Sequence, residues 1–293
     1  MQSLRGTGIA MVTPFLDNGA VDFQGLKKLT RHLIDGGVEY LVVMGTTGEN
    51  VTVTSEEKRQ ILDAVLAENN GALPVVYGLG GNNTSALAKE MQTMNIQGVS
   101  AFLSVSPYYN KPTQEGIYQH YAILAQSSPL PIILYNVPGR TGSNMAASTT
   151  LRLAHDFTNI IAIKEASGNL EQVMEIIQGR PSDFLVISGD DNLTFPMLAL
   201  GGDGVISVSG QAFPKLFSDM VRSGLHGDFV KARDAHYKMF QFTQLLFAEG
   251  NPGGIKVSLE TLGVCGAAMR QPLWPVSDDL RAKLLASVQE IRS

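Results

Sequence analysis

The chain has 293 residues, and its 22 basic and 27 acidic side chains give a formal net charge of −5. This weak acidity argues against a nucleic-acid or anionic-membrane partner, which would require a basic face. A hydrophobic fraction of 44% with 17% charged residues is typical of a packed globular protein and excludes a disordered chain. The length fits two average domains, or one α/β barrel.

The cysteine count and the absence of long apolar runs indicate the cellular compartment of the protein. Cys265 is the only cysteine, which excludes an intramolecular disulfide and a cysteine-based zinc site and favours a reducing compartment. Residues 1–6 lack the basic start and long apolar region of a secretory signal. No apolar run approaches the roughly 18 residues that span a bilayer. We therefore expect a cytoplasmic protein.

Short apolar runs recur along the first two thirds of the chain. They begin near Ile9, Leu41, Val75, Ala101, Ile132, Ile160, Leu185 and Val205. Their mean separation of about 28 residues is close to the size of a strand–helix–strand unit, about 30 residues. The runs are rich in Val, Ile and Leu without polar alternation, which indicates parallel strands buried on both faces.

The segments between the runs predict helices. Thr54 and Thr113 are capping residues followed by early acids, and residues 169–178 carry apolar side chains at helical spacing. Seven intervening helices, with an eighth after Gln211, predict an α/β fold of the (β/α)8 TIM-barrel type. A doubly wound open sheet is the alternative, but no dinucleotide-binding glycine fingerprint follows the first strand.

The strand pattern stops at about residue 225. Helices are predicted over residues 226–248, 255–262 and 278–291, with a break at 251–254. No Ser/Pro-rich linker separates this part from the rest. We therefore divide the chain into a catalytic barrel, residues 1–224, and a helical C-terminal extension packed on it, residues 225–293.

In barrel enzymes the chemistry lies on the loops that follow the strands. Lys164 directly follows the apolar run 160–163, so its amine is partly desolvated. Desolvation favours the neutral amine, which attacks a ketone to form an imine. The alternative is a structural ion pair of Lys164 with Glu165 or another acid.

Other loop residues each leave two interpretations open. Tyr135 is either a proton shuttle at an imine or a core tyrosine. The segment Gly-Thr-Thr-Gly at 45–48 suits a small carboxylate, or is a simple turn. Arg140 is either a bidentate carboxylate ligand or a surface arginine. The pair Tyr108 and Tyr109 either projects from its loop or packs there.

Asp190 and Asp191 raise the question of a metal site. All five histidines fall in predicted helices and none lies at a strand end, so a divalent-metal site at the strand ends would lack imidazole ligands. We predict no metal and no cofactor, and expect the aspartates to cap the next helix.

Three motifs, in this order along the chain, are similar to those of a known enzyme family. They are Gly-Thr-Thr-Gly-Glu at 45–49, Tyr-Asn-Val-Pro-Gly-Arg-Thr-Gly at 135–142 and Lys-Glu-Ala-Ser-Gly-Asn at 164–169. Together they resemble the dihydrodipicolinate synthase / N-acetylneuraminate lyase family of class I, Schiff-base aldolases. The resemblance runs from residues 6–8 to the helical C-terminus.

The resemblance implies roles for individual residues. Lys164 forms the imine with pyruvate. Tyr135 is the acid/base at that imine, in a proton relay with Thr46 and with Tyr109 from a neighbouring subunit. Thr47 holds the pyruvate carboxylate.

The second substrate follows from the same resemblance. Arg140 together with the two loop tyrosines is similar to the synthase subgroup, where the arginine binds the carboxylate of L-aspartate-4-semialdehyde. Ile206 and Gly189 complete the expected substrate-binding set. The implied product is 4-hydroxy-tetrahydrodipicolinate, in the diaminopimelate and lysine pathway, and the implied assembly is a homotetramer built from dimers.

Three other functions remain open. The nearest is another pyruvate aldolase, such as an N-acetylneuraminate lyase or a 2-keto-3-deoxy sugar acid aldolase. The others are a non-catalytic binder of small carboxylates and a metal-dependent aldolase.

One departure from the family pattern concerns regulation. In lysine-inhibited members, an allosteric pocket at the dimer interface uses histidines after the Gly-Thr-Thr-Gly-Glu loop and a glutamate on the helix after the third strand. Ser55, Lys58 and Ala86 stand at the corresponding positions here, although Asn82 and Tyr108 remain. Without the glutamate no anion binds lysine's amino group, and Lys58 adds a like charge. We expect L-lysine inhibition to be weak or absent.

Overall fold

Eight parallel strands close into a barrel in the computed structural model, which describes residues 4–293. The strands are β1 (Gly6–Ala10), β2 (Tyr40–Val43), β3 (Val75–Gly78), β4 (Ala101–Val105), β5 (Ile132–Asn136), β6 (Ile160–Glu165), β7 (Leu185–Ser188) and β8 (Gly204–Ser207). They follow one another around the barrel in chain order, and β8 pairs with β1. The predicted TIM barrel is confirmed, and each predicted run coincides with a strand.

The strands are buried because the helices cover the outside of the barrel and side chains fill its interior. Every residue of β5 and of β6 is buried. Parallel strands with two covered faces have no solvent side on which polar residues would alternate. This double burial explains why continuous apolar runs located the strands in the sequence.

Helices connect the strands on the outside of the barrel. They are α1 (Phe23–Asp35), α2 (Ser55–Asn69), α3 (Thr84–Thr93), α4 (Gln114–Ser127), the short α5 (Pro138–Thr141), α6 (Ala147–Asp156), α7 (Leu170–Gly179), α8 (Thr194–Ala199) and α9 (Pro214–Leu225). Thr54 and Glu57 form a reciprocal capping box at the start of α2, with hydrogen bonds of 3.2 and 3.0 Å. Thr113 accepts from Gly116 N at 3.2 Å at the start of α4. The two predicted caps are confirmed.

Three further helices follow the barrel: α10 (Phe229–Phe247), α11 (Gly253–Thr261) and α12 (Asp278–Arg292). The helix predicted from residue 226 begins three residues later. Gly227 has a φ of +82°, which breaks the helix, and Asp228 then caps α10 by accepting from Lys231 N at 3.1 Å. Helix α10 packs against α9, and α12 packs against both α10 and α11. The boundary at residues 224–225 stays a prediction.

Residues 1–3 lie outside the described residues, so the expectation that residues 1–6 carry no secretory signal is not tested there. Across residues 4–293, none of the helices combines the length and the apolar character needed to cross a membrane.

A buried histidine on the outer layer makes stability depend on pH. His120 of α4 places Nδ1 2.8 Å from Thr84 Oγ1 of α3, and burial lowers the pKa of His120 from 6.5 to about 4. Between these values the unfolded chain binds a proton that the folded chain does not. The free energy of unfolding should therefore fall on acidification from pH 6.5 to 4, by up to about 1.4 kcal/mol per pH unit from this group.

Chemical denaturation at several pH values tests this effect. The His120→Gln variant should lose that part of the slope. Thr84→Val is the matched control, because it removes the same hydrogen bond, keeps the imidazole and should retain the slope. Equal slopes for wild type and His120→Gln would show that the histidine makes no such contribution.

Candidate active site

Two predicted catalytic residues lie side by side at the carboxyl end of the barrel. Tyr135 of β5 pairs in register with Lys164 of β6, and both residues are 6% exposed. The Lys164 Nζ atom lies 4.3 Å from the centroid of the Tyr135 ring. The parallel register therefore brings a buried amine against a phenol.

The side chains around this pair form a cleft of about 370 Å³. This volume lies in the usual range for small-molecule sites, about 300–1,000 Å³. The residues that line it are Thr46, Thr47, Tyr135, Val137, Gly139, Arg140, Lys164, Ala166, Gly189, Asp190, Val208, Phe247 and Asn251. Six residues predicted for catalysis or substrate binding thus meet in one cavity.

The structural alternative for Lys164, an ion pair with Glu165, is wrong. Consecutive strand residues point to opposite faces, so Glu165 points out of the barrel. Its carboxylate accepts from Asn136 Nδ2 at 3.0 and 3.1 Å, from Gln172 Nε2 at 3.1 Å and from Ser167 N at 2.7 Å. Within residues 4–293, no carboxylate lies within ion-pair distance of Lys164 Nζ.

The Gly-Thr-Thr-Gly segment forms a 3₁₀ turn, Thr46–Gly48, directly after β2. Met44 enters it with a φ of +61°, in the left-handed region. Gly78 on the neighbouring strand has no room for a side chain, since a Cβ there would lie 2.3 Å from Met44 O. The turn carries Thr46 and Thr47 into the cleft, where backbone and hydroxyl donors suit a small anion.

Arg140 lies on α5 at the rim of the cleft. It also lines an adjoining cleft of about 240 Å³ together with Tyr108. No ion pair involves Arg140 in the part of the chain that the structure describes. The guanidinium is thus available to an anion bound in the cleft.

Gly189 and Ile206 differ in their relation to the cleft. A Cβ at Gly189 would lie 2.7 Å from Ala166 Cβ and 3.1 Å from Lys164 Cε, so the glycine leaves room for the lysine stem. Ile206 is buried in β8, where it pairs with Gly8, and does not line the clefts around Lys164. The structure brings Gly189 close to the Lys164 side chain, whereas Ile206 is not among the residues that line the cleft.

Tyr109 is not part of this chain's own cleft. Its side chain is 89% exposed and its φ is +67°. The preceding residue, Tyr108, is fixed to Asn82 by two hydrogen bonds, of 2.6 Å to the Tyr108 carbonyl and 3.0 Å from its amide. One chain therefore holds Tyr109 outward, away from Lys164.

The residues predicted for an allosteric pocket at a dimer interface lie on α2, on α3 and in the loops before α3 and after β4. Ser55 and Lys58 lie in the first turn of α2, and Ala86 lies in the first turn of α3. None of the three lines the clefts described above, whereas Tyr108 lines the adjoining one. Asn82 reaches this region only through its bonds to Tyr108.

Asp190 and Asp191 take different structural roles. Asp190 caps the following 3₁₀ turn by accepting from Asn192 N at 3.0 Å, as predicted. The buried Asp191 carboxylate accepts from Val208 N at 3.0 Å and from Ser209 N and Oγ at 2.7 and 2.8 Å. Burial raises the pKa of Asp191. Asp191 thereby joins the loops after β7 and β8. Among the described residues, no group of three or more His, Cys, Asp or Glu side chains could hold a metal ion.

Asn251 lines the cleft but is not among the predicted site residues. Its Nδ2 donates to Thr47 Oγ1 at 2.9 Å, across 204 positions of the chain. Its Oδ1 is buried and has no hydrogen-bond partner among the described residues. The sequence marks residues 251–254 only as a break between helices, and nothing in that break indicates which loop it contacts.

The Glu165 network should stabilise the strand ends that carry Tyr135 and Lys164. We expect Glu165→Leu to lower the free energy of unfolding by on the order of 3 kcal/mol, because it deprives Ser167 N and two buried amides of a charged acceptor. Denaturation curves measure the change. Glu171→Gln, on the exposed face of α7, is the control, and an equally small effect of both substitutions would contradict the role of the network.

Comparisons with known proteins agree on one family. A family model described as the dihydrodipicolinate synthetase family matches residues 3–291. A protein of Flavobacterium psychrophilum named 4-hydroxy-tetrahydrodipicolinate synthase is 53% identical over 97% of each chain. Two solved structures each cover 99% of both chains at 36% identity with a TM-score of 0.95. They are a chloride-inhibited dihydrodipicolinate synthase from Acinetobacter baumannii complexed with pyruvate and the enzyme from Cyanidioschyzon merolae with lysine bound.

Proposed function

The chain belongs to the dihydrodipicolinate synthetase family, and from this premise we propose that it condenses pyruvate with L-aspartate-4-semialdehyde to give 4-hydroxy-tetrahydrodipicolinate. It is a lyase of diaminopimelate and lysine biosynthesis. The observation that carries the proposal is the buried amine of Lys164, which lies against the Tyr135 phenol and has no carboxylate partner in residues 4–293.

The first half of the reaction captures pyruvate. The Lys164 amine attacks the keto carbon, and the carbinolamine loses water to form the imine. Tyr135 donates the proton that leaves with the hydroxyl, and Thr46 relays protons to it. Thr47 and the amides of its turn bind the carboxylate. Asn251 fixes the Thr47 hydroxyl by donating to it at 2.9 Å.

The second half forms the carbon–carbon bond. Loss of a methyl proton converts the imine into an enamine, whose carbon attacks the aldehyde of the semialdehyde. Arg140 binds the carboxylate of that substrate at the cleft rim. The substrate's amino group then attacks the imine carbon, which closes the ring and releases Lys164. The balance is one water released for the two substrates joined, and the hydroxyl formed from the aldehyde remains on the product.

The assembly and location follow from the same proposal. Tyr109 is 89% exposed on its own chain, and it acts in the proton relay of a neighbouring subunit once at least a dimer forms. We propose a homotetramer built from two such dimers. The single buried cysteine suits a reducing cytoplasm.

A substrate panel tests the proposed reaction. The wild type should consume pyruvate with aspartate semialdehyde and should not cleave N-acetylneuraminate or a 2-keto-3-deoxy sugar acid. Arg140→Ala should lower kcat/KM for the semialdehyde roughly 10- to 100-fold, because a charge-assisted contact contributes about 1.5–3 kcal/mol. Arg233→Ala, on α10, is the matched control. Preferred cleavage of a sugar acid would identify a sibling aldolase instead.

We also propose weak or absent inhibition by L-lysine. A bound lysine would find Ala86 where inhibited relatives carry a glutamate, and Lys58 would repel its amino group. Activity in a coupled assay should therefore hardly change with added L-lysine, whereas the double variant Lys58→His with Ala86→Glu, which removes the like charge and supplies the anion, should introduce inhibition. Strong inhibition of the wild type by modest L-lysine would contradict this account.

A further inference from the structure

A fully buried ion pair lies outside the cleft. Glu49 directly follows the Thr46–Gly48 turn, and Lys256 belongs to α11 of the C-terminal extension. Both side chains are 0% exposed, and Lys256 Nζ donates to Glu49 Oε1. Lys256 also donates to Ala268 O at 2.7 Å, while Glu49 Oε2 accepts from Arg270 N at 3.0 Å. Neither residue lines the clefts around Lys164.

A contribution to the free energy of unfolding is a weak explanation for the presence of this buried ion pair. Removing two charges from water is costly, and apolar residues of similar volume often stabilise a protein as well or better. Burial lowers the pKa of Lys256, and the Glu49 carboxylate opposes that effect. Glu49 also has a φ of +55°, a left-handed conformation that is strained for a residue with a side chain. Glu49 thus combines a strained backbone with a buried carboxylate whose two oxygens are held by Lys256 Nζ and Arg270 N.

The pair is one of several anchors on the same turn. Asn251, which precedes α11, holds Thr47 Oγ1, and Thr13 Oγ1 donates to Gly48 O at 2.7 Å. Residues 47, 48 and 49 are therefore each fixed from outside the turn. Thr46 stands at the start of this fixed segment, with its side chain in the clefts around Lys164.

We propose that Lys256 and Glu49 are positioning residues for imine formation. Through them, α11 holds the Thr46–Gly48 turn at the distance from Lys164 that proton relay and carboxylate binding require. The inference rests on the proposed function. Misplacement of a reacting group by about 1 Å can lower a rate about 100-fold, so a remote pair is able to govern the chemistry.

The experiment compares variants of the full chain. The readouts are the thermal midpoint, KM and kcat for pyruvate, and the rate at which borohydride traps pyruvate on Lys164. Lys256→Met should lower the trapping rate on the order of 10- to 100-fold. The double variant Glu49→Leu with Lys256→Met should regain the thermal midpoint while trapping stays slow.

Arg281→Met is the matched control. It removes the ion pair of Arg281 with Glu260, which joins α12 to α11 but contacts neither Glu49 nor the Thr46–Gly48 turn. It should lower the thermal midpoint and leave the trapping rate unchanged. If Lys256→Met does not fold, the double variant and the isosteric Glu49→Gln provide the same comparison.

Two failures are distinguishable. If the wild type traps no pyruvate on Lys164, the proposed function is wrong. If the wild type traps pyruvate and the folded variants trap it equally fast, or if the apolar pair restores rate and stability together, the pair has only a packing role and the inference is overturned.

Discussion

The burial of one amine at a strand end is the constraint on which the site depends. Every residue of β6 is buried in the closed barrel, so Lys164 near the end of that strand has lost most of its water. A lysine that is buried in such a position usually forms an ion pair with a nearby carboxylate. The adjacent Glu165 does not reach it, because strand geometry turns the carboxylate outward and Asn136 and Gln172 hold it there. The outer network thus keeps the inner amine free of an ion pair.

The strands, and the proximity of Lys164 and Tyr135, could be predicted because both leave a signal in short stretches of sequence. Burial on both faces leaves continuous apolar runs, so β2 through β7 begin within a residue of the predicted starts. Strand ends of a barrel meet at one face, so Lys164, Tyr135 and Thr46 were expected to meet as well. The predicted start of α10 was wrong because Gly227 interrupts a segment that otherwise has helical periodicity.

The remainder of the site depends on contacts between distant parts of the chain. Asn251 reaches Thr47 across 204 positions and Lys256 reaches Glu49 across 207, and neither leaves a periodic signal. Lys256 resembles other helical lysines in sequence, although it is fully buried. The barrel strands place Lys164 and Tyr135, while the C-terminal extension fixes the turn that carries Thr46. If the proposed function holds, the extension is therefore part of the active-site scaffold.

The most direct test of the account is to locate the pyruvate adduct. The protein is incubated with pyruvate and borohydride, digested, and mapped by mass spectrometry. A reduced pyruvyl mass is expected on the peptide that contains Lys164, and none in the Lys164→Arg variant. An adduct on a different lysine, or full turnover without any adduct, would contradict it.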